Sequence, residues 1–320
     1  MTPQPKGGGI CVLCGGVGAA RFLSGLLQVV DPATVTAIVN TADDMVLHGL
    51  SISPDLDTCT YTLADAINPE TGWGLVDETW NAKATLDRYG GQTWFGLGDR
   101  DLGTHLYRTQ RLHEGATLTE VTAEIAAAWG LSFTMLPMTN DPVSTLVTIE
   151  SGERLEFQRY FVERRHADPV RSVEFSGIEA ATPAPGVLES ITQADCVIVA
   201  PSNPFVSIDP VLSVPGVRRA LHARRDRNVA ISPIVGGGAV KGPAADLMHA
   251  FGFDVSAAGV AAIYEPLAAH LVIDQVDAEL ADAVRAAGME PHVTDTMMVS
   301  PSVSNALASF TLATVEAVAT

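Results

Sequence analysis

The chain has 320 residues, 47% hydrophobic and 18% charged, enough apolar material for a large core and the wrong composition for a disordered, collagenous or coiled-coil chain. Nineteen Lys and Arg stand against 37 Asp and Glu, and a formal net charge of −18 repels nucleic-acid backbones and anionic lipid. Any phosphate must therefore be held locally, by backbone amides, a few cations or a metal ion.

No run of eighteen apolar residues occurs, so no transmembrane helix is expected. Lys6 followed by GGGICVLCGGVGAARFLSGLL has the outline of a signal peptide, but its glycines and Arg21 interrupt the apolar region, which reads instead as strand, turn and helix. Cys11, Cys14, Cys59 and Cys196 form no disulfide framework, and a reduced, cytoplasmic protein is expected. Strands are predicted over 9–14 and 35–40, with a helix over 19–30 between them. Helices follow over 57–67, capped by Asp57, then over 78–89, 102–112 and 118–129, the last opened by a Thr117/Glu120 capping box. Residues 132–136 read as a strand. Three alternating stretches, TLVTIES, RLEFQRYF and RSVEF, then follow without a helix, as in an antiparallel insertion. Alternation of helix and strand resumes over 196–200, 217–223, 229–235 and 244–251, and continues to a final helix ending near Val318. The expected fold is α/β, a mainly parallel sheet flanked by helices with a smaller antiparallel β insertion. Residues 1–144 form the first half, 145–178 the insertion, and 179–320 a second α/β part completing the sheet.

Ligands of such sheets bind beyond the carboxyl ends of the strands, and the segments there are polar. CGGVGAAR places Gly15, Gly16 and Gly18 between a strand and a helix N-terminus, a turn suited to an anion or simply a tight connection; it lacks both the full G-x-G-x-x-G spacing and the Lys-Ser/Thr of a P-loop. NTADDMVLHG and SISPDLDTCTY put Asp43, Asp44, Asp55 and Asp57 within fifteen residues, a cluster that calls for a cation such as Mg²⁺ unless its members only cap and solvate. In GLGDRDLGTH, Arg100 between Asp99 and Asp101 is either a fork for phosphate or a salt-bridged surface residue, and His105 reads first as an ordinary helix histidine. Ser202 and Asn203 in APSNPFVSIDP either contact a nucleotide or shape the turn before Pro204. In SPIVGGGAVKGPAADL, amides of Gly236, Gly237 and Gly238 with Lys241, one of three lysines, either hold a diphosphate or form a surface connection. Cys11 and Cys14 have redox spacing, but residues three apart on a strand face opposite ways. The basic patch of Arg159, Arg164, Arg165, His166 and Arg171 reads as a solvated face or subunit contact.

In order, GGVGAARFLSGL, NTADD, HGLSISPDLDT, LGDRDLGTH, LPMTNDPVST, PSNPFVSI, SPIVGGGAVKGPAADLM and TDTMM make the chain, from about residue 9 to 318, resemble the 2-phospho-L-lactate transferase and phosphoenolpyruvate transferase family of coenzyme F-420 biosynthesis. The resemblance implies a Rossmann-like fold, a homodimer and a Mg²⁺-dependent reaction. In it, the ribityl hydroxyl of 7,8-didemethyl-8-hydroxy-5-deazariboflavin attacks the phosphate nearest the organic acid of a guanosine-diphospho donor, releasing GMP. Lactate, enolpyruvate and glycerate donors all occur in the family, and the sequence does not distinguish them. On this basis Asp43, Asp44 and Asp57 are expected to hold the metal, with Asp57 first and Asp44 second as general base. Gly15, Gly16, Gly18, Asp55, Thr58, Asp99, Arg100, His105, Ser202, Asn203, Gly237 and Lys241 would contact substrates, and the deazaflavin would lie near Met45, Val46, His48 and Trp94. The chain departs from some relatives at Gly96, where they carry a charged residue, and in its extra glycines around Gly237. Two other readings compete. One is a non-catalytic sugar-nucleotide-binding regulator of the related gluconeogenesis-factor group, disfavoured by MVLHGLSISPDLDT after the acidic pair. The other is a nicotinamide-dependent dehydrogenase, disfavoured by Asn40 where an acidic residue should end the second strand.

Overall fold

The structure, a computed structural model, describes residues 9–316, so Lys6 and the end of the final helix at Val318 lie outside the described residues. Seven strands, β1 (Ile10–Cys14), β2 (Val35–Val39), β3 (Thr134–Pro137), β4 (Cys196–Val199), β5 (Asn228–Ile231), β6 (His270–Asp274) and β7 (Glu290–Thr294), form one parallel sheet. Their order is β7-β6-β5-β4-β1-β2-β3. The chain winds outward from β1 to β3, then returns to lay β4 on the other side of β1. The switch point lies between β1 and β4, and a crevice opens there past the strand ends.

Burial on both faces explains why these strands read as near-continuous apolar runs such as ICVLC and CVIV. Cys11 and Leu13 enter the core on one face, Val12 and Cys14 the core on the other, so Cys11 and Cys14 are not a facing pair. Helix α1 (Gly16–Val29) packs on α2 (Pro54–Leu63) and on the C-terminal helix Pro301–Glu316. Three further helices, α3 (Asn81–Arg88), α4 (Asp101–His113) and α5 (Leu118–Ala128), follow before β3. The capping box at α5 forms as expected, with Glu120 N–H donating to Thr117 Oγ1 at 3.3 Å and Thr117 N–H to Glu120 Oε2 at 2.8 Å. Among the described residues no helix is long and apolar enough to cross a membrane.

Several elements depart from the sequence reading for local reasons. Helix α2 starts at Pro54 after Ser53, because proline at the first helical position is pre-set for the turn; Asp57 lies within the first turn, three residues past Pro54, and does not cap it. Helix α3 starts only at Asn81, where the Asp99 carboxylate accepts from the Asn81 and Ala82 amides. In the three-stranded antiparallel sheet, Ser144–Ile149 pairs with Arg154–Glu156 and Val170–Ser176. RLEFQRYF leaves the strand after Glu156 and turns helical, burying Phe157 and Tyr160 against Val147, Leu155 and Leu247. The strand expected over 229–235 breaks after Ile231, and Ile234–Val235 instead pairs with Gly238–Ala239. Gly236 and Gly237, with φ of 58° and 77°, make that two-residue turn, a conformation that other residues resist.

Candidate active site

Four segments converge beyond the carboxyl ends of β1, β2 and β4. After β1, Gly15 and Gly16 turn into α1; after β4, Ser202 donates its hydroxyl to the Gly15 carbonyl at 2.8 Å and braces that turn. After β2, Asn40 directs its side-chain amide at Asp43 Oδ2 (3.1 Å), Asp55 Oδ2 (3.0 Å) and the Val206 carbonyl (3.3 Å), while its Oδ1 accepts from Ala42 N–H (2.9 Å). Asn40 thus gathers two carboxylates and the segment after β4. The glycines are required by proximity: a Cβ on Gly15 would lie 2.8 Å from Asp55 Oδ2, and one on Gly18 only 2.4 Å from the Pro201 carbonyl oxygen. Gly18→Ala is expected to destabilise the fold by about 1–3 kcal/mol, read as a lower urea midpoint; an unchanged midpoint would show that the two segments separate without strain.

The four aspartates divide into two environments. Burial and the neighbouring Asp55 charge push the Asp43 carboxyl well above its ordinary range. Burial does the same to Asp44, against the opposing hydrogen bond from Ser53 Oγ to Asp44 Oδ2 (2.6 Å) and the Arg108 charge. Burial raises Asp55 to about 6, although Asn40 and the Gly16 amide favour its ionised form. Among the described residues none of these three is in an ion pair. Asp57 differs: Arg108 Nη1 donates to its Oδ2 at 3.1 Å and Nη2 to its Oδ1, a buried two-pronged clamp. His105 Nδ1 lies 3.3 Å from Arg108 Nη1, its Nε2 lies 3.3 Å from Asp101 Oδ2, and Tyr61 donates to Asp101 Oδ1 at 2.7 Å.

The remaining predicted residues take varied places. Thr58 is half-buried on α2. Asp99 is held ionised, well below the carboxylate range, by the Thr79 hydroxyl and the amides that begin α3; Arg100 reaches the Val76 carbonyl at 2.6 Å. This pair staples the loop before α3. Asn203 Oδ1 accepts from Phe205 N–H at 3.0 Å, while its Nδ2 is buried with no hydrogen-bond partner. Gly237 sits in the hairpin turn, and the Gly236 amide is already taken by both oxygens of Asp277, at 3.1 and 3.0 Å. The expected diphosphate cradle there thus loses one donor. Lys241 is left as the cation of that loop, its amine lowered by burial and by the Arg21 charge. His48 lines an apolar pocket with Leu50, Leu86, Phe95, Leu97 and Leu102. Trp94 packs edge-on against Phe95, ring centroids 5.8 Å apart, whereas Val46 is exposed.

Sequence reasoning missed Asn40, read only as a missing acid, together with Ser53, Tyr61 and Arg108. Asn40 stands three residues before the acidic pair, at a strand end, a signal that was visible; Arg108 carries none, being 51 residues from Asp57. The expected trio Asp43, Asp44 and Asp57 does not form a closed ligand set, because Asp57 is turned to Arg108. Among the described residues no three His, Cys, Asp or Glu side chains are arranged to hold a metal by themselves. The chemistry of the donors nevertheless suits Mg²⁺. Asp44 Oδ1 is buried with no hydrogen-bond donor, and the Asp43 carboxyl, with the Thr145 hydroxyl and the Asn40 amide as its donors, lies beside it and Asp55 in one acidic cluster. Mg²⁺ commonly takes one or two protein carboxylates, completing its shell with water and substrate phosphates.

The family model described as 2-phospho-L-lactate transferase CofD matches residues 10–310. A phosphoenolpyruvate transferase of Streptomyces coelicolor is 46% identical over 294 residues, covering 90% of this chain and 92% of that protein. One of Kitasatospora aureofaciens is 43% identical over 315 residues, covering 97% and 98%. Among solved structures, a UPF0052-family protein of Bacillus halodurans aligns with a TM-score of 0.64 at 18% identity, over 97% of this chain and 100% of that one, and shares the fold. Eight sequence motifs in register, a parallel sheet with its polar crevice at the switch point, and a match spanning nearly the whole chain lead to one conclusion: the chain belongs to the 2-phospho-L-lactate transferase CofD family and is a transferase enzyme.

Proposed function

We propose that the protein transfers the enolpyruvyl phosphate group of enolpyruvyl-diphospho-5′-guanosine to the ribityl hydroxyl of 7,8-didemethyl-8-hydroxy-5-deazariboflavin, in coenzyme F-420 biosynthesis. The observation that carries this reading is the joining of Asp43 and Asp55 by Asn40 beside the glycine turn at the switch point. The choice of enolpyruvate over lactate or glycerate rests on the relatives at 43% and 46% identity, which carry the name phosphoenolpyruvate transferase. A cytoplasmic homodimer belongs to the same reading, with no nucleic-acid or membrane partner.

Asp43 and Asp55 would hold Mg²⁺, which when bound neutralises charge on the donor phosphates. The N-terminus of α1 beyond the Gly15–Gly16 turn would offer backbone amides to the diphosphate, the Gly16 amide itself being taken by Asp55. Asn203 Nδ2 and Lys241 add donors, and Ser202 keeps the turn in position. The apolar pocket beside His48 and Leu50 takes the deazaflavin ring. In the transfer the ribityl oxygen forms a bond to the phosphorus nearest the acid, the bond from that phosphorus to the GMP oxygen breaks, and GMP leaves. Asp44 accepts the hydroxyl proton. It is preferred over Asp57 because its Oδ1 is unpartnered, whereas both Asp57 oxygens are occupied by Arg108. Positioning and charge neutralisation supply most of the rate in such in-line displacements.

Release of GMP, followed by chromatography, tests this directly. GMP should appear only with donor and acceptor together, cease on EDTA treatment and return with Mg²⁺. Full turnover after exhaustive chelation would remove the metal from the acidic pocket.

A further inference from the structure

The buried chain Asp57–Arg108–His105–Asp101–Tyr61 lies beneath the crevice and is not used by the reaction as described. Its centre is Arg108, only 2% exposed, with Nη1 and Nη2 on the two Asp57 oxygens and Nη1 also 3.4 Å from the Ser51 carbonyl. Asp57 and Asp55 share the first turn of α2, two residues apart and pointing to different sides. Asp57 points to α4; Asp55 points to Asn40 and the Gly15–Gly16 turn. Ser51 and Ser53 lie on the segment entering that turn, and Ser53 holds Asp44. Arg108 therefore ties α4 to the one stretch of backbone that sets Asp55 and, through Ser53, Asp44.

We infer that Arg108 is a positioning residue: through its clamp on Asp57 it fixes the first turn of α2, so that Asp55 meets Asp43 across Asn40, and Asp57 itself does not touch metal or substrate. On this account the PDLDT motif has two acids with separate duties. The first faces the ligand and the second anchors the helix that presents it. Lysine at 108 would retain a cation but lose the fork that grips both oxygens. The inference rests on the metal-dependent reading of the site.

The test uses the full chain and Mn²⁺ alone as the probe, with free ion followed by electron paramagnetic resonance well below the melting temperature. Asp55→Asn should weaken Mn²⁺ binding by at least about 10-fold, whereas Asp57→Asn, which keeps an acceptor for Arg108, should change it less than about 3-fold. Arg108→Met should weaken it by about 10-fold, as loss of a supporting partner does, and Arg108→Lys should recover part of the loss. Combining Asp57→Asn with Arg108→Met should add little to Arg108→Met alone. Loss of Mn²⁺ by Asp57→Asn as complete as by Asp55→Asn would overturn the inference and make Asp57 a ligand. A lower melting temperature in Arg108→Met with unchanged Mn²⁺ affinity would also overturn it, leaving Arg108 a purely structural residue. Should Arg108→Met not fold, Asp57→Asn against Asp55→Asn still decides. Absence of Mn²⁺ binding to the unsubstituted protein would instead overturn the metal reading on which the inference stands.

Discussion

Replacing Asp55 by Asn should make the metal-free protein more stable at pH 8 while lowering transfer by about 10²–10³-fold, the scale of losing one preorganised electrostatic contact to a reacting phosphate. The stability half follows from the direction of its pKa. Burial raises Asp55 from 3.8 to about 6, so the folded chain holds this proton more tightly than the unfolded one. Its contribution is most favourable below pH 4, is lost as pH rises toward 6, and becomes a constant cost above that. A shift of about two units corresponds to about 3 kcal/mol as an upper value, and coupling to Asp43 lowers what a single substitution recovers. Asn retains an oxygen that accepts from Asn40 and from the Gly16 amide but never ionises. Melting curves at pH 4 and pH 8 check this: the variant and the parent should coincide at the lower pH and separate by several degrees at the higher. A variant less stable than the parent at pH 8 would mean that the ionised carboxylate is already compensated within the protein.

Arg108→Ala should have the opposite sign and the larger size. It leaves Asp57 buried without its cation, and breaking a buried pair from one side costs about 3–5 kcal/mol. For a chain of 320 residues that is a fall of about 5–7 °C in melting temperature. Asp57→Asn with Arg108→Met removes both charges together and should regain most of the loss, since the pair's desolvation is then avoided as well. A small shift for Arg108→Ala alone would show that water enters to solvate Asp57.

What could be read from the sequence follows from what sequence patterns encode. Strands such as ICVLC and CVIV announce themselves because both faces are buried, and the Thr117/Glu120 box announces α5 because capping is local. The acidic cluster after β2 was visible because like charges seldom gather without a counter-charge. The roles of its members were not, since they depend on Arg108 and Asn40, whose contacts with Asp57 and Asp55 span 51 and 15 residues. Asp57 was assigned to a cap and to a metal for the same reason: an acid near a helix start suits either, and only the partner on α4 decides. The glycines before Lys241 read as a phosphate cradle, yet Gly236 and Gly237 serve a hairpin turn pinned by Asp277, a partner 41 residues downstream. Alternation in RLEFQRYF was real as far as Glu156, after which the positions of Phe157 and Tyr160 suit a helical turn equally well.

The most direct measurement offers the protein the deazaflavin and Mg²⁺ with each of three guanosine-diphospho acids, carrying enolpyruvate, lactate or glycerate, and follows products by mass spectrometry. The account predicts GMP and a phosphodiester of the deazaflavin, formed fastest from the enolpyruvyl donor. No phosphodiester from any of the three, with the deazaflavin left unbound, would contradict it.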